Sequence, residues 1–515
     1  MLPGRTLLLG ARVVDPGGPP VGGALEVAGD RVTFVGSVAR ARTRAAGAVV
    51  VELDGAVITP AFVDAHVHAT ASGLLVDGLD LTTAGSPEEL LDAVADRAAA
   101  RPGALVWGHG WQDHRWPRTG PSRAQLDRAA AGAPVYLSRI DGHSALVSSP
   151  LVDRAPAAVG APGWSSTGAL SVDAHHHVRR AALAGVDGPT RAAAQRAFLA
   201  DAAAHGIGVV HECAGPDITS VADLTALSAH PGVEVVPYWG QATTTPAEAR
   251  ELLAATGAHG LSGDLFVDGS LGSQTAALRA PYADAPGRTG TRYLDADTIA
   301  AHVVACTRTG VQAGFHVIGD AAADALLTGL AAAARQVDIR GRAHRVEHLE
   351  MVDPEQAGAL ANLGIVASVQ PVFDAFWGGP DGLYAARLGP QRAAPMNPFA
   401  ALRAAGVTLA LGSDSPVTPV DPWAAVRAAA EHRTPGSRIS PDAALLAHTV
   451  GGYRAAGDPS PTAGRLVPGA PASYAVWDGA GPLDGQPVNP RCLRTVHKGV
   501  TLFDALLDGV AQFPP

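Results

Sequence analysis

The segment I-T-P-A-F-V-D-A-H-V-H, residues 58–68, reads as a buried β-strand that ends by projecting two histidines. Residues two apart on a strand point to the same side, so His66 and His68 can grip one ion together. Neutral imidazole is a common ligand for a borderline divalent cation such as zinc. A strand end carrying two surface histidines is the plainer reading of an isolated H-x-H. What favours a metal is the rest of the chain, which supplies further ligand-type residues at the ends of later strands.

Beyond residue 200, short apolar strands alternate with alanine-rich helical stretches. The strands fall at residues 207–211, 233–239, 264–268, 313–316, 345–348, 365–370 and 407–411, and helical stretches such as 298–309 and 321–334 lie between most of them. Strand–helix alternation implies a parallel sheet. With the H-x-H strand the series reaches eight units, which points to a closed (β/α)₈ TIM barrel of the α/β class. An open doubly wound sheet is disfavoured, because no G-x-G-x-x-G opens a helix after a first strand.

Both chain ends are written differently. Residues 1–57 carry short β-rich runs separated by Gly, Pro and Asp, and A-S-Y-A-V-W (472–477) and T-V-H-K-G-V (495–500) return to that idiom. The simplest arrangement is a small β-sandwich domain built from residues 1–57 and 466–515, with a hydrolase-type barrel, 58–465, inserted between them. Two unrelated β-appendages are the alternative. Between about 75 and 200 the alternation lapses. This long insertion after the first strand holds W-G-H-G-W-Q-D-H-R-W (107–116) and V-Y-L-S-R-I-D-G-H (135–143), and is expected to lie over the barrel mouth as a lid or binding region. His175, His176 and His177 are expected in a solvated loop of it.

A 515-residue chain exceeds what one core usually serves, in keeping with a large domain plus a smaller one. The net charge of −10 argues against a nucleic-acid partner. No apolar run is long enough to cross a bilayer, and the first ten residues lack a charged signal-peptide start. Cys213, Cys306 and Cys492 are far apart and read as buried thiols of a reducing compartment, so a cytoplasmic protein acting on a small molecule, as a monomer or a homo-oligomer, is expected.

In a barrel, chemistry sits at the C-terminal ends of the strands. There stand His66 and His68, then His211 and Glu212, Asp264 to Asp268, His316, His348, and finally Asp414 after V-T-L-A-L. One imidazole at a strand end is usually structural; several together point to a divalent metal.

These pieces, P-A-F-V-D-A-H-V-H, V-D-G-S-L-G-S-Q-T-A-A-L (267–278), F-H-V-I-G-D (315–320), R-V-E-H-L (345–349), A-S-V-Q-P (367–371) and L-G-S-D-S-P (411–416), occur in the order found in one known group. The chain resembles the amidohydrolase superfamily, and most closely the amidohydrolase family 3 branch of YtcJ-like proteins and N-substituted formamide deformylases. W-G-H-G-W and the segment ending D-G-H-S-A resemble that branch's insertion. The resemblance implies a (β/α)₈ barrel with a small β-sandwich, one or two divalent metals with zinc foremost, and hydrolysis of an amide or related carbon–nitrogen bond. It implies His66 and His68 on the first metal, His316 and His348 at the other metal position, and Asp414 contacting metal and water.

A carboxylate beside a water can take its proton and deliver it to a leaving nitrogen, which suits Asp414, while His316 near the metal can polarise a scissile carbonyl. His143 is a candidate for contact with the carbonyl or the substrate's polar end, and Trp111 belongs to a roomy pocket for an aromatic or alkyl N-substituent. The chain departs from the family at two points. Many members carry a lysine that becomes a carboxylated bridge; here Asp264 holds that position, and Lys498 is the only lysine. Asp264 is therefore the first choice for a bridging ligand, with Glu212 or Asp268 as substitutes and a site holding one tight metal as the alternative. Gln274 stands where the family has an arginine near the substrate. Because a fold does not dictate chemistry, an isomerase, lyase, deaminase or non-catalytic metal-binding protein on this scaffold is the alternative.

Overall fold

The computed structural model describes residues 4–18, 22–116 and 120–506. All six residues of the strand Phe62–Val67 are buried. A strand covered on both faces belongs in the middle of a parallel α/β sheet. It pairs in parallel with Ile207–Ala214, which pairs in parallel with Glu234–Trp239. A second parallel sheet runs Gly314–Val317, Arg345–His348, Val366–Val369, Thr408–Leu411. Single parallel bridges link the two into a ring: Tyr238 to Gly260, Leu261 to Ala313, Phe266 to His316, and Val67 to Ser415. The result is a TIM-barrel-like α/β fold.

The fourth position of the ring departs from expectation. Residues 264–268 form no regular strand; that stretch is held by isolated bridges and by bonds such as Val267 N–H to His316 O at 3.0 Å. Gly263, at φ +85°, turns the chain there and interrupts the ladder. Gly412 matters at the closure of the ring, because a Cβ on it would lie 2.6 Å from the backbone nitrogen of His66.

Helices Ala296–Thr309 and Asp320–Ala334 pack on the ring as the alanine content leads one to expect, alanine being the strongest helix former. Their buried faces join Phe62, Val67, Phe315 and Leu411 in one large apolar cluster. Among the described residues no helix is long and apolar enough to cross a membrane.

Strands from both chain ends share a sheet: Tyr474–Trp477 lies antiparallel to Val57–Pro60, which feeds directly into Phe62–Val67. A second sheet orders Arg31–Gly36, Ala24–Ala28, Arg5–Leu9 and Val49–Glu52, and Leu8, Leu25, Ile58, Tyr474 and Val496 fill one cluster drawn from both. Residues 1–3, 19–21 and 507–515 of the expected terminal domain lie outside the described residues.

The insertion builds a five-stranded sheet of its own, ordered Leu170–Ser171, Ser144–Val147, Val135–Arg139, Val106–Trp111, Leu79–Asp80. Helix Val172–Ala184 packs on it. This corrects the expectation of a solvated loop at His175–His177. The three histidines are helical, and His175 and His176 are buried. Helical spacing turns Ala174, Val178 and Ala182 into the insertion core and carries His175 and His176 inward with them.

Candidate metal centre

The ring ends bring six side chains together. His68 Nε2 lies 3.2 Å from both Asp264 Oδ2 and Asp414 Oδ1, and His66 Nε2 lies 3.5 Å from Asp264 Oδ1 and 3.4 Å from Asp414 Oδ1. His316 Nδ1 is 3.4 Å from Asp264 Oδ1. His348 completes the set, its ring 4.4 Å from that of His316 and 5.1 Å from that of His66. Three overlapping trios have ligand atoms within 4.8 Å of one another: His66, His68 and Asp264; Asp264, His316 and His348; and His66, His348 and Asp414. Asp264 belongs to two of them, as a bridging carboxylate would.

The donors fit a divalent cation. His66 Nε2, His316 Nδ1, Asp264 Oδ1 and Asp414 Oδ1 are buried without a hydrogen-bond partner. Buried polar atoms are normally satisfied, so four converging orphans are the mark of a ligand site. Imidazole nitrogens and carboxylate oxygens are the donor set zinc and its neighbours take.

The opposite nitrogens are held in place. His66 Nδ1 donates to Glu347 Oε2 at 2.9 Å, His348 Nδ1 to Gln370 Oε1 at 2.8 Å, and His316 Nε2 to the Gly269 carbonyl at 3.3 Å. Each bond sets the tautomer and leaves the other nitrogen's lone pair toward the centre. Glu347 is itself clamped by Arg345, whose Nε donates to it at 2.6 Å, both fully buried. His348 and Asp414 adopt left-handed backbone conformations, φ +73° and +54°, strain of order 1–3 kcal/mol each that typically gathers at functional sites.

Electrostatics follow the geometry. Burial by itself would push the His68 imidazole down, but the carboxylates of Asp264 and Asp414, each 3.2 Å away, prevail and raise it to about 10. Burial would raise Asp264; the neighbouring imidazoles of His66, His316 and His68 instead hold it well below the usual carboxylate range. Two buried carboxylates thus demand positive charge between them, which imidazole protons or a divalent cation can supply. At His348, burial and the adjacent His316 push the ring down to about 3, leaving it neutral and able to ligate.

A cavity of about 850 Å³ opens from this cluster, lined by His68, Asp264, His316, His348 and Asp414 and capped by the insertion. His143 lines it, its ring 5.0 Å from that of His316. Glu212 borders the cavity too, but its Oε2 accepts the Ala69 backbone N–H at 2.8 Å. Asp268 faces away from the centre and accepts the amides of Ala277, Ile318 and Gly319 at 2.8–3.0 Å, so the substitute role considered for it falls to no metal position.

Two expected substrate contacts lie elsewhere. Trp111 packs with Leu81, Trp116 and Leu126, its Nε1 donating to Leu137 O at 2.8 Å. The reason is a bulge at Gly110, φ +108°, where the register passes from His109–Ser138 to Trp111–Arg139. The extra residue reverses the alternation, so Trp107 and His109 face the cavity and Trp111 the insertion core. Gln274 sits on a turn at φ +56°, its Nε2 donating to Asp284 at 2.9 Å, and borders neither lobe of the cavity. Tyr136, Trp107 and the pair His109–Ser138, with Nδ1 and Oγ 2.6 Å apart, are cavity residues that sequence reasoning missed. Period-two alternation along 106–109 and 135–138 was the available signal.

Glu347→Gln is expected to weaken metal binding 10- to 100-fold, because His66 loses the carboxylate that raises its basicity. Chelator competition measures the change, with thermal unfolding read in parallel because Arg345 loses its counter-charge. Wild-type metal affinity in a folded variant would remove Glu347 from this role.

The sequence profile of the amidohydrolase family matches residues 49–503. Protein LONG AFTER FAR-RED 3 of Arabidopsis thaliana is 28% identical over 505 residues, covering 89% of this chain and 85% of its own length. Amidohydrolase YtcJ of Bacillus subtilis is 26% identical over 402 residues, 72% of each chain, and N-substituted formamide deformylase of Arthrobacter pascens 23% over 530 residues, 95% and 94%. A Pyrococcus furiosus structure described as an uncharacterized metal-dependent hydrolase superposes with a TM-score of 0.71 at 25% identity, covering 93% of this chain and all of that one. With its ring of strand-end imidazoles and carboxylates and a profile match over residues 49–503, this chain belongs to the amidohydrolase family.

Proposed function

We propose that the protein is a metal-dependent hydrolase that cleaves a carbon–nitrogen bond, an amide or N-substituted formamide, in a small molecule. The observation that carries this reading is the convergence of Asp264 and Asp414 with four imidazoles at one end of the ring, all but His66 lining one cavity. The formamide deformylase relative supports the bond type. His66, His68, His316, His348, Asp264 and Asp414 would hold one or two ions, zinc foremost. A divalent cation there would lower the pKa of bound water to about 7 and would polarise a carbonyl.

The chain's own residues do the rest. Asp414 accepts the proton of the attacking water as the oxygen–carbon bond forms, and returns it to the nitrogen as the carbon–nitrogen bond breaks. His316, with Nε2 committed to the Gly269 carbonyl and Nδ1 turned to the centre, lines the cavity as a candidate ligand. His143, half-buried beside it and pushed down to about 3 first by desolvation and then by His316, offers a neutral imidazole to the substrate. Trp107, Tyr136 and Phe266 give the cavity apolar walls that exclude water and suit an N-substituent.

The same reading takes the ring as a closed (β/α)₈ barrel, residues 58–465, and the terminal sheets as a β-sandwich of residues 1–57 and 466–515. Its setting would be the cytoplasm, where the three buried, unpaired cysteines stay reduced. Elemental analysis of the purified protein, joined to a panel of N-alkyl and N-benzyl amides and formamides, tests the activity. Bound metal with stoichiometric release of amine and acid is expected. Metal-free protein, or a rearranged product without amine release, would overturn it.

A further inference from the structure

Beside the main cavity lies a second lobe of about 390 Å³, which shares His316, His348 and Asp414 with it. Its far wall is made by Glu350, two residues past the strand Arg345–His348, and by Phe373, Trp377 and Tyr384. Glu350 is 3% exposed, and its Oε2 has no hydrogen-bond partner. Tyr384 lines the lobe beside it. Among the described residues no arginine, lysine or histidine lies within salt-bridge distance of Glu350. Arg139 borders the same lobe but is committed to Asp141 at 3.0 Å and Asp113 at 3.3 Å.

A buried carboxyl group left without a counter-charge or a full set of hydrogen bonds is costly, and such groups persist where a ligand completes them. The neighbouring walls suit the same ligand. Phe373, Trp377 and Tyr384 pack against one another, ring centroids 5.0 and 6.3 Å apart, and aromatic faces attract cations.

We propose that this second lobe is a subsite for a primary ammonium group of the substrate, received by Glu350 within the aromatic wall. The proposal deepens the hydrolase reading and rests on it only in calling the ammonium-bearing molecule a substrate. It assigns the enzyme to amides of amino-bearing molecules, with the cationic end in the second lobe and the scissile bond over the metal ligands. The insertion-lined main cavity is then left for the other substituent.

The test is calorimetric binding of benzylammonium and of neutral benzyl alcohol to the metal-loaded protein at pH 7, for wild type, Glu350→Gln and Glu350→Asp. The wild type is expected to prefer benzylammonium at least tenfold. Glu350→Gln, with unchanged metal content, is expected to lose that preference, and Glu350→Asp, which keeps the charge, to retain most of it. Equal binding of the two ligands by the wild type overturns the proposal, whether or not a variant folds. So does a full preference in Glu350→Gln, which would mean that the metal or Asp414 receives the amine. A wild type that shows the preference but hydrolyses no amide leaves the subsite standing and removes the hydrolase reading instead.

Discussion

Asp414→Asn is expected to abolish turnover, by roughly 10²–10⁴ for the lost proton transfer alone, while the protein stays folded. The substitution is nearly isosteric, and it spares what positions the residue: the Asp414 backbone N–H donates to the His66 carbonyl at 2.8 Å. Asparagine also tolerates the left-handed conformation, φ +54°, better than most residues. What is lost is the carboxylate whose Oδ1 stands 3.2 Å from His68 Nε2 and 3.4 Å from His66 Nε2. An amide can neither take a proton from water nor match a carboxylate as a metal ligand, so the two losses compound. Steady-state kinetics on a substrate from the amide panel, with metal content and circular dichroism alongside, decide the matter. Activity within a few fold of wild type would show that Asp414 is not the proton carrier.

The double substitution His66→Ala, His68→Ala is expected to strip the metal. Both imidazoles belong to one trio with Asp264, and only His66 has a supporting carboxylate in Glu347. The fold is expected to survive, since the apolar cluster around Phe62, Val67 and Phe315 is untouched. Stability should still fall, because Asp264 and Asp414 keep their burial and lose the imidazoles that balance them. Elemental analysis after dialysis reads the result, and wild-type metal content in the double variant would dismiss the pair as ligands. Reconstitution of the wild type is expected to be indifferent to bicarbonate. The only lysine, Lys498, sits in the terminal sheet with its ammonium on Glu234, so no carboxylated lysine can form at the centre.

The sequence by itself carried the order of the ring and the residues at its strand ends. Strand ends recur at a regular spacing in an α/β chain, and a histidine or aspartate there is visible as a break in an apolar run. That is why His66, His68, His316, His348 and Asp414 could be named together, and why the distance of Asp264 from the D-G-S motif was enough to include it. Decisions of facing and partnership needed the tertiary structure. One extra residue at Gly110 turned Trp111 from the cavity to the insertion core and left Trp107 and His109 in its place. The histidine triplet 175–177 looked solvent-bound until its helix rotated two of the rings inward. The contact of Glu347 with His66 spans 281 positions, and Glu350 meets its aromatic neighbours only where two later helices fold over the ring. Local periodicity reports what a residue can face within its own element. Which nitrogen is held, which oxygen is left bare, and which cation is already spent depend on contacts between distant segments, and only the folded chain decides them.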